Sequence, residues 1–385
     1  MSANPIAHST TLEAVCTRKD LSEGMQLVAQ AVSERNPLPI LTHILVQSHE
    51  NGLLLSGSDM ELSISLTIPA DVRRPGAMTA PAKLLAELVS SFPEGEITLS
   101  ADRSHAAQLF VPGSDYRIVG LPPEEYPTIP AVEDTNAFTI SEKVLREAIR
   151  QTLPYVSTDS KARAILSGVL IDFKESVATF VATDTLRLAL RSAPVSDARG
   201  ACQAVLPARA LSDLQKALDS DDGVAEVRLS DKLARVTTQS GVTVTTRVIE
   251  GQYPQYRRVV PTTWRTRVTL PTNALYQAVK RAIIVARHAS DRLEYETVED
   301  KVVLTAESAT EGKALEEVEA LRDGDPIQII FPARFLLEAL QVMDTEGVVM
   351  DFTDPTKAVV VRPSVEETDG AEGEYLSVLM PLQTL

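Results

Sequence analysis

The side chains whose type and spacing suit chemistry in this chain are mostly basic, and they fall on helix faces. Over residues 141–156, Lys143, Arg146 and Arg150 stand at i, i+3 and i+7, so they share one side of a helix. Residues 274–287 place Gln277, Lys280 and Arg287 in the same way, and residues 21–33 offer Gln26 and Gln30, a weaker version. Lys83, Arg209 and Arg334 occupy one equivalent position in three similar segments, with Lys216 seven residues after Arg209. Cations in such rows attract phosphate. Any single row also reads as a solvated helix face, but matching faces in a strongly acidic chain favour a shared electrostatic role.

Catalytic chemistry finds no comparable support. The histidines His8, His43, His49, His105 and His288 form no HxH or HExxH pattern, and GxxxxGK[ST], GxGxxG and GxSxG are all absent. Cys16 and Cys202, the only cysteines, have no paired spacing, which excludes a disulfide scaffold and a cysteine-based zinc site and fits a reducing compartment. Asp219, Asp221 and Asp222 precede Gly223 but miss the calcium-loop spacing, so they read as a turn. Asp59 and Asp184 sit at matching places after strands, which suits turn capping better than an acid pair. Neither a cofactor nor a metal is expected.

An internal repeat provides the scaffold that positions the basic faces. Pro81-Ala82-Lys83, Pro207-Ala208-Arg209 and Pro332-Ala333-Arg334 each open a helical run, at separations of 126 and 125 residues. Proline at a helix start forfeits no hydrogen bond. Ser58-Asp59 precedes Thr183-Asp184 by 125 residues, with Thr305-Ala306-Glu307 as a degraded third copy. Tyr126-Pro127 precedes Tyr253-Pro254 by 127, each entering a Pro-rich connector. Three domains follow, 1–131, 132–262 and 263–385.

Each domain reads as helix, alternating strands, second helix and further strands. Apolar stripes run through Leu145, Ala148, Ile149 and Leu153 behind Ser141 as N-cap. They also run through Leu275, Ala278, Val279, Ala282, Ile283 and Ala286, and through Leu21, Met25, Val28 and Val32. Period-2 strands are expected at 61–68, 97–100, 116–120, 225–229, 241–248 and 301–305. The fold class is α+β, two helices packed on antiparallel sheets in each domain.

Composition agrees with this reading. The 385 residues suffice for two to four domains, and 44% apolar with 23% charged residues describes an ordinary globular chain. No apolar run of about 18 residues exists to span a membrane, and the N-terminus has no signal-peptide pattern. Aromatics at 4%, with a single Trp264, argue against a large aromatic ligand pocket. The net charge of −16 divides unevenly: −7 over 1–130, +1 over 131–260 and −10 over 261–385. Because screening confines each patch to about a Debye length of ~8–10 Å, an acidic body can still hold a basic face.

Taken together, ATDTLRLAL at 182–190, GQYPQYRRVVP at 251–261, SERNPLPILTHILVQ at 33–47 and the ending VLMPLQTL resemble the bacterial DNA polymerase III β subunit family, the replicative sliding clamps. The resemblance spans the whole chain. It implies a head-to-tail homodimer that closes three repeated clamp domains per subunit into a ring around double-stranded DNA, independently of sequence. It also implies partners that bind through short linear motifs: the DNA polymerase III alpha subunit, the clamp loader, other polymerases and repair proteins. No membrane partner is implied, and the location would be cytoplasmic and nucleoid-associated. Helix arithmetic agrees with two subunits: six helices ~10 Å wide leave a bore of only ~9 Å, whereas twelve leave ~28 Å.

By resemblance Arg35, Lys83, Arg163 and Arg209 face the DNA path, to which helix geometry adds Lys143, Arg146, Arg150 and Lys280. A peptide cleft is implied at Leu166, Thr183, Leu186, Arg187, Leu188, Pro254, Arg258 and Val259. Phe335 stands there where the family frequently has Tyr, and Val378, Leu379, Met380, Pro381 and Leu382 form the far wall. Arg187 and Arg258 would pair with polar groups of the peptide. The dimer contact would set Tyr116 and Ile118 against Ile284 and Val285. The chain departs from the family at Ala164 and Ile165, where aromatics are common, at Thr185, where Gly-His usually precedes the Arg, and in its last three residues. A peptide-binding repeat scaffold that never meets DNA is the alternative reading, since it would share the cleft without needing the basic faces.

Overall fold

The computed structural model describes residues 12–33, 35–133, 135–364 and 373–382; Gln383, Thr384 and Leu385 lie outside them. Among the described residues there are six α-helices: α1 (Arg18–Val28), α2 (Ala82–Ser91), α3 (Glu142–Thr152), α4 (Ala208–Ala217), α5 (Thr272–Ala286) and α6 (Ala333–Gln341). α2, α5 and α6 each follow a proline whose φ of −54°, −64° or −63° is close to the value its ring imposes. α1 starts instead at Thr17, whose hydroxyl accepts from the Asp20 N–H at 3.1 Å.

The apolar stripes are buried except at their last positions, Val32 and Leu153, which are half-buried because two helices end early. α3 stops at Thr152 and passes into a 3-10 turn, Leu153–Tyr155, because Pro154 has no N–H and disfavours helical geometry at the residue before it. α1 likewise gives way at Val28 to a 3-10 turn, Ala29–Ala31. The strand expected at 116–120 lies at Ser114–Ile118. None of the helices among the described residues is long and apolar enough to cross a membrane.

The chain forms two compact units, Met1–Lys143 with Arg209–Val248, and Val144–Ala208 with Ile249–Leu385, so the division runs through the middle repeat. Backbone hydrogen bonding explains why. In the first unit the strand Leu62–Ile68 pairs antiparallel with Thr243–Arg247, Ser63 opposite Thr245, which fuses sheets from two repeats. In the second, Arg187–Pro194 pairs with Tyr375–Leu379, Leu188 opposite Val378. Each half of the middle repeat is thus stitched to a different neighbour.

The connectors are latched at repeat-equivalent places. The Tyr126 hydroxyl donates to the carbonyls of Ser56 and His43, both at 3.4 Å, and the Tyr253 hydroxyl donates to Val181 O at 3.2 Å, 125 residues beyond Ser56. The strand-end turns repeat as well. Ser58 Oγ accepts from Met60 N–H at 3.1 Å, Thr183 Oγ1 from Thr185 N–H at 3.1 Å, and Ser308 Oγ from Thr310 N–H at 3.4 Å. The third copy therefore centres on Ser308 rather than on Thr305-Ala306-Glu307. A hydroxyl that closes the turn is what the three copies share.

In the first unit the start of α3 is fixed by a fully buried carboxylate. Glu142 accepts the Gln239 N–H at 2.7 Å and the Ser220 N–H at 3.4 Å, and its own N–H donates to Gly223 O at 2.8 Å. Gly223 is required there, since a Cβ would come within 2.8 Å of the Glu142 carboxyl carbon. Glu142→Ala should therefore orphan two backbone N–H groups and lower stability by about 2–4 kcal/mol, read as a shifted urea midpoint.

Candidate nucleic-acid and peptide sites

The basic helix faces are only partly available. Lys143 is exposed and Arg146 half-buried on α3, Lys83 is exposed at the start of α2, and Lys280 is exposed on α5 with its ammonium 5.7 Å from the centre of the Tyr276 ring. Arg35 is exposed in the segment after α1. Arg150 departs from expectation. Its guanidinium is half-buried, bonded to Glu147, Asp344 and the Val342 carbonyl, so it ties α3 to the end of α6 instead of presenting a free cation. Arg209 is also engaged, with Asp59 at 2.6 Å and Gln30 O at 2.9 Å. Lys216, its expected companion, holds Asp213 at 2.9 Å and Gln30 Oε1 at 3.2 Å.

In the second unit a cavity of about 810 Å³ gathers Arg163, Leu166, Leu186, Arg187 and Phe335 from the expected set. It also takes in Pro154, Arg334, Glu338 and the loop over residues 156–162, which sequence reasoning missed; an arginine at the rim signals a nearby acceptor, but nothing local points to Glu338. The turn Thr183–Arg187 forms the rim. Thr183 Oγ1 donates to Arg187 O at 2.7 Å, and Asp184 Oδ1 accepts from the N–H groups of Leu186 and Arg187 at 2.9 and 3.0 Å. These bonds hold Thr185 at φ +82°, strained for a β-branched residue, and leave Leu186 55% exposed.

Arg187 is the main correction. It is 7% exposed and each of its nitrogens is engaged: Nε with Asp184 Oδ2 at 2.9 Å, Nη1 with Glu338, and Nη2 with Pro154 O at 2.7 Å. The guanidinium lies between the rings of Tyr155 and Phe335, 4.9 and 4.5 Å from their centres. Burial alone would lower its pKa; the Glu338 and Asp184 carboxylates outweigh that and hold it above the ordinary arginine value. Three of its five N–H groups are thus tied to the protein and its plane is packed between rings, so it braces the cavity.

The far wall divides similarly. Leu188, Val378 and Leu379 are buried; Leu188 and Val378 pack with Leu166 and Tyr256, so they hold the sheet rather than offer a surface. Thr183 is buried in its turn. Met380 stays half-exposed beside the rim, its N–H donating to Leu186 O at 2.9 Å, and Leu382 N–H donates to Ile330 O at 2.8 Å. Pro381 and Leu382 are half-buried. Pro254 is half-buried and Arg258 and Val259 exposed around a 3-10 turn that Tyr256 anchors to Asp172 at 2.7 Å. Pro254, Arg258, Val259 and 380–382 are not among the cavity walls.

All four sheets of the described residues are open, and two of their edge strands concern the expected subunit contact. In the first unit the strand is Ser114–Ile118, where Tyr116 is exposed and tilts on Phe92 with ring centres 5.3 Å apart. Ile118 is a second correction: at 5% exposure, opposite Ala107, it belongs to its own domain's core. In the second unit the edge is Gly312–Glu319, and α5 packs on it with Arg281 Nε on Glu316 at 2.8 Å. One turn along α5, Ile284 is 63% exposed while Val285 is half-buried. Burial pushes the Cys16 thiol up to about 12, aided by Asp20, so it carries no nucleophilic thiolate at neutral pH.

Comparison with known proteins gives a consistent result. Family models of the DNA polymerase III beta subunit match in order: the N-terminal domain over 12–130, the central domain over 139–255 and the C-terminal domain over 257–372. The beta sliding clamp of Halalkalibacterium halodurans is 30% identical over 364 residues, 91% of this chain and 95% of that protein. That of Staphylococcus epidermidis is 30% identical over 369 residues, 92% and 95% of the two chains. Among solved structures, the DNA polymerase sliding clamp of Bacillus subtilis superposes with a TM-score of 0.90 at 25% identity, over 97% of this chain and 100% of that one. The beta subunit of Streptococcus pyogenes DNA polymerase gives the same values.

Proposed function

The chain belongs to the DNA polymerase III beta subunit family, and on that premise we propose how its residues share the work of a sliding clamp. It is a DNA sliding clamp, a processivity factor with no catalytic step of its own, which closes as a homodimer around duplex DNA and binds the polymerase. The observation that carries this is the ordered match of three clamp domains along the chain. Our division into domains is 1–131, 132–262 and 263–385, and we place the protein in the cytoplasm, on the nucleoid.

Encirclement retains DNA without gripping it, so the bore needs weak, exchangeable phosphate contacts and no base reading. Lys83, Lys143, Arg146 and Lys280, with Arg35, supply that attraction in our reading, while Arg150 and Arg209 act chiefly as braces. Arg163 works at the cleft, since it borders the cavity there. Short peptides of the polymerase, the clamp loader and repair proteins enter beside Leu186 and Met380, with Leu166 and Phe335 as floor and Pro254, Arg258 and Val259 beyond.

Retention on nicked circular duplex, after loading with the clamp loader and ATP, tests this reading. Linearising the circle should release the protein; a scaffold that never encloses DNA would show no such difference. Lys143→Glu with Arg146→Glu should weaken low-salt processivity several-fold, with the deficit shrinking as salt rises, while peptide binding is unchanged. Full processivity at low salt would show that this face looks elsewhere.

A further inference from the structure

The turn Thr183–Arg187 has a repeat counterpart in the first unit, Ser58–Leu62, and the two are bonded differently. In the first unit Asp59 takes its cation from α4: Arg209 Nη1 bonds Asp59 Oδ2 at 2.6 Å and Nη2 bonds Gln30 O at 2.9 Å. Leu62, which closes that turn, carries no charge. In the second unit Arg187 stands 125 residues beyond Leu62 and captures Asp184 for itself, Nε on Oδ2 at 2.9 Å. It takes Glu338 and Pro154 O as well. Arg334, the counterpart of Arg209, thereby loses its acceptor. It keeps only Glu338 Oε1, at 3.9 Å, and its side chain is 62% exposed.

Arg334 borders the cavity of about 810 Å³ together with Lys161 and Arg163. Both of these are exposed, and neither side chain has an ion-pair or hydrogen-bond partner among the described residues. The acidic side chains on the same walls are Asp159, Asp184 and Glu338. Asp184 gives one oxygen to two N–H groups of its own turn and the other to Arg187, and Glu338 is paired with Arg187. Asp291 accepts the backbone N–H of Arg334 at 3.3 Å. Asp159, whose Oδ1 accepts the Lys161 N–H at 2.8 Å, is the one carboxylate there without a cation. Three unclaimed cations thus meet it around one cavity, in a chain of net charge −16. Beside them lie the apolar walls of Leu166, Leu186 and Phe335. Such a site is complementary to a ligand part apolar and part anionic; a duplex backbone would leave the apolar walls uncovered.

We propose that this cavity selects linear peptides that place a carboxylate beside their apolar anchors, held by Lys161, Arg163 and Arg334. This rests on the clamp reading and adds the chemistry of the partner peptide. An acidic side chain and a peptide C-terminus both supply that group. The test uses a labelled polymerase C-terminal peptide in four versions, with Asp or Asn beside its apolar residues and a free or an amidated C-terminus. Each is titrated against the full-length protein by anisotropy at low and high salt. The amidated Asn version should bind about three- to tenfold more weakly than the version with both carboxylates, the sum expected of a few exposed ion pairs. The difference should shrink as salt rises. Whichever single-carboxylate version keeps the affinity identifies the source.

A variant with Lys161→Gln, Arg163→Gln and Arg334→Gln should bind all four versions alike, at the affinity of the weakest. Its melting temperature should change little, because these are surface substitutions. Equal binding of the four versions by the wild-type protein at low salt, or a preference that persists in the variant, would overturn the carboxylate selection while leaving the cleft intact. A variant that weakens only the binding of a labelled short DNA duplex would give the cations to DNA and overturn it too. A wild-type protein that binds none of the four peptides would overturn the cleft as well.

Discussion

Ile284→Asp should convert the dimer into folded monomers. Ile284 is 63% exposed in one chain, so in the isolated subunit the change is a surface substitution worth within about 0.5 kcal/mol. At the ring contact the balance reverses. Burying an isoleucine contributes about 1.5–3 kcal/mol, and a carboxylate buried there without a partner costs several kcal/mol more. A head-to-tail ring of two subunits repeats its contact twice, so the penalty counts twice. At about 4 kcal/mol per contact the total is about 8 kcal/mol, roughly five-hundred-thousand-fold in dissociation constant. Light scattering at micromolar concentration should give the mass of one chain, with an unchanged circular-dichroism spectrum. A variant that keeps twice that mass would remove the free edge beside α5 as the closing contact. Tyr116 is the apolar residue we expect opposite Ile284; Ile118 serves the fold instead.

The features that were legible in the sequence are local ones. Apolar stripes at helical spacing located the core side of α1, α3 and α5, because burial of one face sets which positions must be apolar. The repeat placed Ser58 beside Thr183, and each hydroxyl does close a turn at its strand end. The same reasoning misplaced the third copy, because it followed the acidic residue. Domain 3 keeps the hydroxyl, Ser308, without the aspartate. Helix ends were missed where Pro154 intervened after the stripe had already suggested continuation.

Partnership between distant residues was not legible. Arg150 shares a helix face with Lys143 and Arg146, and nothing within a turn of it reveals Asp344, 194 positions on. Arg187 sits among alternating leucines, where an outward-pointing cation is the simplest reading. Its carboxylate partner Glu338 and the ring of Phe335 arrive from a helix 150 residues later. Tyr116 and Ile118 alternate onto one side of an edge strand, yet only Tyr116 lies far enough from the domain's core to remain exposed. In each case a contact made by the tertiary fold decides whether a polar or apolar side chain is free.

Arg187→Ala should cost both peptide affinity and stability, and that pairing distinguishes a brace from a peptide contact. Without the guanidinium, Asp184 and Glu338 lose the cation between them, Glu338 keeps only Arg334 at 3.9 Å, and Pro154 O loses its donor. Removing one partner of such a cluster costs about 3–5 kcal/mol where burial is complete, and about half of that is expected here because Glu338 is partly exposed. The slot between Tyr155 and Phe335 would be left open, so the cavity floor can shift. Binding of a labelled polymerase C-terminal peptide should weaken about tenfold or more, equivalent to about 1.4 kcal/mol, and the melting temperature should fall with it. Arg187→Lys should rescue little, because an ammonium cannot present a planar fork to three acceptors between two rings. Deleting residues 380–385 offers the contrast. It removes the half-exposed Met380 beside Leu186 but leaves every Arg187 contact in place, so affinity should fall by a similar factor with little change in melting temperature. Were Arg187 a direct peptide ligand, Arg187→Ala would behave like the truncation, weak in binding and unaltered in stability, and the bracing role would be wrong.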